Sequence, residues 1–168
     1  MDERSERAAT PRVHMIGNAH LDPVWLWRWP EGCAEAIGTC WAAIDLLETH
    51  PGFIFTRGEA LVYRWIEELE PELFARIRRF VADGRWAIVN GWWIQPDCNL
   101  PDGEAFIRQA LYGKHYFRER FGVDVTVGYN VGTRGLSPCC CGIPDPTRMS
   151  LCGRTHARRA CPRHCSTG

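Results

Sequence analysis

Residues 12–25 read RVHMIGNAHLDPVW, a short apolar stretch that runs without a break into His20-Leu21-Asp22. Val13, Met15 and Ile16 make Arg12 to Ala19 a candidate buried strand that ends on an imidazole and a carboxylate one residue apart. Outward from it, short apolar runs alternate with helical stripes. Glu31 to Thr49 places Ile37, Trp41, Ile44 and Leu47 on one helical face, and His50-Pro51-Gly52 stops it. Phe53 to Thr56 reads as a strand. Leu61, Val62, Trp65, Ile66 and Leu69, then Leu73, Phe74, Ile77, Phe80 and Val81, mark two more helices, with Pro71 in the first turn of the second. Arg85 to Asn90 is a strand, and Gly91 to Pro101 a long loop. Gly103 to Arg120 is a helix capped by Asp102, with Phe106, Ala110, Leu111 and Phe117 inward and Gly122 at its stop; Val123 to Val131 is a last strand.

This alternation predicts an α/β fold, parallel strands with crossover helices, as an open sheet or a barrel. In either form ligands gather at the C-terminal ends of the strands. The chemically loaded segments lie there: His20 to Trp25 after the first strand, Gly91 to Asn99 after the third, and whatever follows Val131.

Composition narrows the function classes. The 168 residues suit one domain or a piece of a larger one. Twenty Lys plus Arg balance 20 Asp plus Glu, so no net field draws in nucleic acid or anionic lipid. Met1 to Pro11 lacks an apolar leader and no later run approaches the roughly 18 apolar residues of a membrane span. The expectation is a soluble, cytoplasmic protein; nothing sets its oligomeric state. All eight tryptophans precede Asp97, and Trp41 and Trp65 sit at helical core spacing. Cys33, Cys40 and Cys98 read as small buried hydrophobes rather than bridges.

One residue apart on an extended segment, His20 and Asp22 leave the same side of the backbone and can grip one metal ion. Zinc accepts nitrogen and oxygen ligands at about 2.0 to 2.2 Å, and its catalytic sites generally take three protein ligands, so two are not enough. His14 shares their parity but lies six residues back, roughly 20 Å away along a strand. A satisfied surface or core pair is the bland alternative. Trp25 can lay an indole beside the pair, where the C–H face of a sugar could stack.

The run Gly17-Asn-Ala-His20-Leu-Asp22-Pro-Val-Trp25-Leu-Trp27 resembles the opening signature of glycoside hydrolase family 38, the retaining zinc-dependent α-mannosidases, in which His-x-Asp-Pro-x-Trp follows the first barrel strand. Gly84 to Asn99 is similar to the family's Gly-Trp-x-x-x-Pro-Asp loop, and Glu104 to Gly113 to the helix after it. The resemblance covers about Val13 to Val131. It implies an incomplete (β/α) barrel-like catalytic domain that uses zinc on an α-mannoside or oligosaccharide. It implies His20 and Asp22 as zinc ligands, the zinc holding neighbouring hydroxyls of a terminal mannose, and Trp25 as part of the sugar platform. Trp92, Trp93 and Asp97 would line or support the site, although the two indoles also suit a core and Asp97 a loop scaffold. The family's nucleophile, also a zinc ligand, is the aspartate of a Tyr-Asn-Val-Asp motif. Here Tyr129-Asn130-Val131 is followed by Gly132. Glycine offers no oxygen for either role, and the resemblance implies a chain without the hydrolytic activity. Asp124, at the strand's far end, and Asp145, in the tail, are poor substitutes.

The expected organisation is therefore a polar tail (1–11), the N-terminal part of a catalytic domain (12–131) and an aperiodic Cys/Arg/Pro-rich tail (132–168). The tail's Cys139, Cys140, Cys141, Cys152, His156, Cys161, His164 and Cys165 lack the paired spacing of a structural zinc site. Two rivals stay open: a non-catalytic sugar- or metal-binding module, and a small metalloenzyme of other chemistry with His115 as its third ligand. A barrel missing strands would also expose edges that favour aggregation. The abrupt change after Val131, in mid-motif, is what a reading-frame shift in GC-rich DNA produces. Translating the coding DNA downstream of Val131 in the other two frames should then restore an Asp-x-Phe-Gly-like continuation; its absence from both frames overturns the shift.

Overall fold

The computed structural model describes residues 15–97, 100–130 and 150–153. The elements run β1 (Gly17–Asn18), α1 (Trp29–Thr49), β2 (Phe55–Arg57), α2 (Ala60–Leu69), α3 (Pro71–Ala82), β3 (Trp86–Ile88), α4 (Gly103–Phe121), β4 (Val127–Asn130) and β5 (Ser150–Gly153). β1, β2 and β3 form a parallel sheet with β2 in the middle, Gly17 opposite Phe55 and Arg57 opposite Ile88. β4 and β5 pair in parallel as a second ladder. Asn90 joins the two: its N–H donates to the Val127 carbonyl (2.7 Å), and its Oδ1 accepts from the Tyr129 N–H (3.3 Å). Parallel strands linked through helices make this the expected α/β class.

The first strand is shorter and more open than its apolar sequence suggests. Only Gly17–Asn18 pairs, and Met15 and Ile16 are 92% and 73% exposed. β1 has β2 as its one neighbour in the sheet, so apolar composition there is not matched by a covering layer among the described residues. The next two strands start later than their apolar runs because turns take the leading residues. Phe53 donates its N–H to the His50 carbonyl (2.9 Å), and Arg85 to that of Phe80 (3.0 Å). β5 falls in the stretch for which no period is visible in the sequence.

α1 begins before the expected Glu31, since Pro30 suits a first turn where no intrahelical donor is required. Its buried face is Cys33, Ala36, Cys40, Ala43, Ile44 and Leu47, with Ile37 and Trp41 packed at its margin. The small side chains of this face allow α2 and α3 to approach closely, and Ile37 and Trp41 flank the contact. Burial pushes the Cys40 thiol up to about 12, as suits a cysteine acting as a small hydrophobe. Arg85 Nη2 donates to the Leu47 and His50 carbonyls (2.7 and 2.6 Å), answering acceptors at the end of α1 that has no basic residue in its own last turn. On α4, Asp102 accepts from the Ala105 N–H (2.8 Å), and Gly122 closes the helix at φ 69°. Phe106 and Phe117 are buried as expected, whereas Leu111 is exposed. Trp65 is half-buried against Trp29, their rings 6.3 Å apart. Among the described residues no helix is long and apolar enough to cross a membrane.

The core is aromatic and centred on α2. Phe55 meets Trp86 edge-on (4.8 Å), and Tyr63 meets Phe117 (5.1 Å) and Phe121 (5.3 Å). The Tyr63 hydroxyl donates to the Arg57 carbonyl at the end of β2 and accepts from the Trp86 indole of β3, both at 2.8 Å. Tyr63→Phe keeps the packing but orphans a buried acceptor and a buried donor. The expected loss is roughly 2–4 kcal/mol, read as a lower urea midpoint with an unchanged slope.

Candidate functional site

Three of the buried polar residues, Arg57, Glu59 and Asn90, lie at or just beyond the C-terminal ends of β2 and β3. After β1 the chain leaves the sheet through Ala19 and turns at Pro23, and His20 Nε2 comes to 3.3 Å from Asp22 Oδ1. Their side chains are 28% and 47% exposed, so the pair is reachable from solvent. Trp27 Nε1 donates to the Asp22 carbonyl (3.0 Å) and meets Trp25 edge-on at 5.8 Å. Trp25 itself is 67% exposed. The turn is seated on the first helical turn of α1, where Gly32 lies under Pro23.

A second group stands at the end of β2. Arg57 Nη1 donates to the Ala19 carbonyl. Arg57 Nη2 lies 3.2 Å from Glu59 Oε2, both side chains being only 4% exposed. The contact is in ion-pair range without the alignment of a full hydrogen bond, and Arg57 Nε has no partner either. Burial pushes the Glu59 carboxyl above the usual carboxylate range, and the Arg57 guanidinium opposes that rise. The charges of His20 and Asp22 also reach Glu59, with opposite signs.

Glu59 and Asn90 both adopt left-handed backbone, at φ 66° and 68°. Such strain costs of order 1–3 kcal/mol for a non-glycine residue and persists only where surroundings enforce it. Here the enforcement is close crossing of backbones. A Cβ on Gly58 would lie 2.1 Å from the Val89 carbonyl oxygen and 2.5 Å from Asn90 Cβ. The Glu59 N–H donates to the Asn90 carbonyl (3.2 Å), and those of Ala60 and Leu61 to Trp92 and Trp93 (3.0 and 2.9 Å). The loop after β3 thus serves as the acceptor wall for the start of α2, whose amides would otherwise be unmet. Tyr129 of β4 completes the group. Burial, with the Glu59 charge second, raises its hydroxyl, while Arg57 and a hydrogen bond from the Asn18 side chain oppose this. The ends of β1 and β4 are therefore within side-chain reach.

The residues singled out from sequence fare differently. His20 and Asp22 are brought together, with Trp25 exposed nearby in the same turn. Trp92 is 2% exposed, edge-on to Phe106 at 6.3 Å, and its Nε1 has no partner. Trp93 packs on the core, 6.1 Å from Tyr116. Of the two readings left open for the indoles, their surroundings are those of packing. Asp97 is exposed on the loop. Cys98, Asn99, Val131 and Gly132 lie outside the described residues, as do His14 and, apart from Cys152, the tail's cysteines and histidines. His115 sits on the exposed face of α4 with its Nδ1 3.6 Å from Glu119. Among the described residues no three His, Cys, Asp or Glu side chains gather to hold a metal. Arg57, Glu59, Asn90 and Tyr129 were not among the expected site residues; the signal was a charged Arg-Gly-Glu between a strand and a helix.

Residues 10–147 match the family model of the Glycosyl hydrolases family 38 N-terminal domain. Alpha-mannosidase G of Dictyostelium discoideum is 39% identical over 129 residues, covering 75% of this chain and 12% of the relative. Alpha-mannosidase 2C1 of Homo sapiens is 36% identical over 110 residues, covering 66% of this chain and 11% of the relative. The crystal structure of an alpha-mannosidase from Enterococcus faecalis V583 superposes with TM-score 0.63 at 24% identity, over 70% of this chain and 13% of that one. The chain thus spans about an eighth of the length of the relatives it matches.

Gly32 controls the seat of the His20 turn, because a Cβ there would lie 2.1 Å from the Pro23 carbonyl oxygen, backbone against helix. Gly32→Ala should lift the turn off α1. The expected outcome is a loss of about 1–3 kcal/mol and faster tryptic cleavage after Arg28.

Proposed function

We propose, from the premise that this chain belongs to glycosyl hydrolase family 38, that its His20–Asp22 turn is the opening half of a zinc-dependent α-mannosidase site. The supporting observation is the juxtaposition of a ring nitrogen and a carboxylate oxygen 3.3 Å apart, reachable from solvent, at the C-terminal end of β1. The donor set, one nitrogen and one oxygen, suits zinc but stops at two ligands. In this reading the parallel strands belong to a barrel-like wall, and the ligand lies across its mouth.

The substrate class is a terminal α-mannoside, free or on an oligosaccharide. When bound, zinc supplies a cation for neighbouring sugar hydroxyls. His20 and Asp22 hold it, and the exposed face of Trp25 stacks on the C–H face of the ring. Asp97, exposed on the loop after β3, contacts substrate, while Trp92 and Trp93 support that loop from the core side. Retention requires two carboxylates about 5 to 5.5 Å apart, one to attack the anomeric carbon and one to protonate the leaving oxygen. With Gly132 at the nucleophile's place, this polypeptide binds and orients at most; it does not hydrolyse.

Purified chain is expected to release no phenol from an aryl α-mannoside in the presence of zinc; turnover abolished by a chelator overturns the inactivity. Calorimetry separates the metal pair from chance contact. Gly132→Asp, which returns a third ligand, should tighten zinc binding about tenfold or more, and His20→Ala should remove the gain. Equal zinc uptake with and without His20 overturns the pair. Tight stoichiometric uptake of zinc and mannose by the parent chain would instead favour a non-catalytic binding module.

A further inference from the structure

We propose that Arg57, oriented by Glu59, is the positioning residue of the His20–Asp22 pair, fixing the direction in which the imidazole and the carboxylate leave the sheet. The functional meaning of this role rests on the reading of that pair as the metal-holding one.

The need for such a residue follows from the ladder. β1 is tied to β2 at only two positions, Gly17 opposite Phe55 and Asn18 opposite Thr56. Continued by one step, this register sets Ala19 opposite Arg57, but strand pairing has ended there. The Arg57 side chain takes over, its Nη1 donating to the Ala19 carbonyl. That carbonyl belongs to the peptide unit whose nitrogen is His20. Tilting it swings the bonds that carry the imidazole and, two residues on, the carboxylate.

A guanidinium can do this only if it is itself held. Arg57 is enclosed, and its planar fork offers a second nitrogen to Glu59 at 3.2 Å. Glu59 is rigid through its backbone: its N–H donates to the Asn90 carbonyl, and the amides of Ala60 and Leu61, which follow it, to those of Trp92 and Trp93. The line of support therefore runs from the loop after β3, through Glu59 and Arg57, to the residue before His20. Lysine could supply the charge but not the fork that reaches Ala19 and Glu59 together.

A buried ion pair that served stability alone would make a different prediction. Its loss would loosen the core broadly, around β2, β3 and α3, with no preference for residues 20–22. The two cases separate by nuclear magnetic resonance on the isotope-labelled 168-residue chain. The readout is the backbone order parameter at His20, Leu21 and Asp22 against that of α3. In Arg57→Met, residues 20–22 are expected to fall from rigid values (about 0.85) to below about 0.6, with α3 unchanged. Arg57→Lys should fall between, and Glu59→Gln, which keeps shape but not charge, should loosen the same three residues. If Arg57→Met does not fold, Glu59→Gln carries the same readout. Order at 20–22 equal to that of the parent in the folded variants overturns the proposal. So does a loss of order spread evenly over α3. Zinc added to the parent, followed on the same resonances, is a separate test. A rigid 20–22 segment that ignores zinc sinks the metal reading while the positioning result stands. Zinc affinity unchanged by Arg57→Met, with order unchanged, sinks the positioning.

Discussion

A guanidinium shut inside a protein must have its charge answered, and Arg57 at the end of the central strand meets that demand with Glu59. Of its donors, Nη1 finds the Ala19 carbonyl, while Nε and Nη2 make no hydrogen bond. Its side chain reaches back to Ala19 at the end of β1 and across to Glu59 at the start of α2. Its carbonyl accepts from Tyr63, which in turn receives the Trp86 indole of β3. One residue thereby links three strands and the helix that packs on them. Taking charges out of water costs several kcal/mol per ion even after relaxation, so such a pair is weak evidence for stability as such. Apolar residues of the same volume would pack β2 against its neighbours as well. They would not hold the Ala19 carbonyl, nor set Glu59 within electrostatic range of His20 and Asp22.

Close backbone approach is the second constraint, and it explains why the strain is where it is. Gly58 passes over Val89 and Asn90, and Gly113 of α4 passes over Gly91 and Trp92, where a Cβ would lie 2.2 Å from the Gly91 carbonyl oxygen. The loop after β3 is pinched between α2 and α4. Asn90 bends through the left-handed region, which asparagine tolerates better than most, and its amide and side chain then serve β4. Glu59 adopts the same conformation without that tolerance, compelled by the amide contacts that begin α2. Both strained residues sit just beyond the C-terminal ends of their strands, the side of a parallel sheet where ligands gather.

The α/β class and the helices were legible in sequence because each rests on local periodicity. The stripes at Leu73, Phe74, Ile77 and Phe80 and the cap at Asp102 are properties of ten or twenty consecutive residues. Strand limits were less legible, since Phe53 and Arg85 are apolar or strand-compatible by composition yet are claimed by turn hydrogen bonds to His50 and Phe80. The exposure of Met15 and Ile16 was not legible at all. An apolar residue states that a cover is required, not whether one is present. Within the site, His20 and Asp22 announce themselves by spacing, but Arg57, Glu59, Asn90 and Tyr129 come from three different strand ends and meet only in three dimensions. For Trp92 and Trp93 the sequence left a site lining and a core open, and the structure wraps them in aromatic neighbours.

On the proposed reading of His20 and Asp22 as a metal pair, Glu59 bears on why a third ligand would not be made good from within. It is a carboxylate on the neighbouring strand, near enough to sense the charges of both His20 and Asp22, and at first sight a replacement for the oxygen that Gly132 cannot offer. Its surroundings oppose that use. Burial already disfavours its charge, and what charge it carries is answered by Arg57. Turning it toward a metal would strand a buried guanidinium, and breaking one side of a buried pair typically costs about 3–5 kcal/mol. It would also release the Ala19 carbonyl from its tether, loosening the turn that carries His20 and Asp22. Glu59 can therefore support the pair or join it, and the geometry of Arg57 commits it to the first.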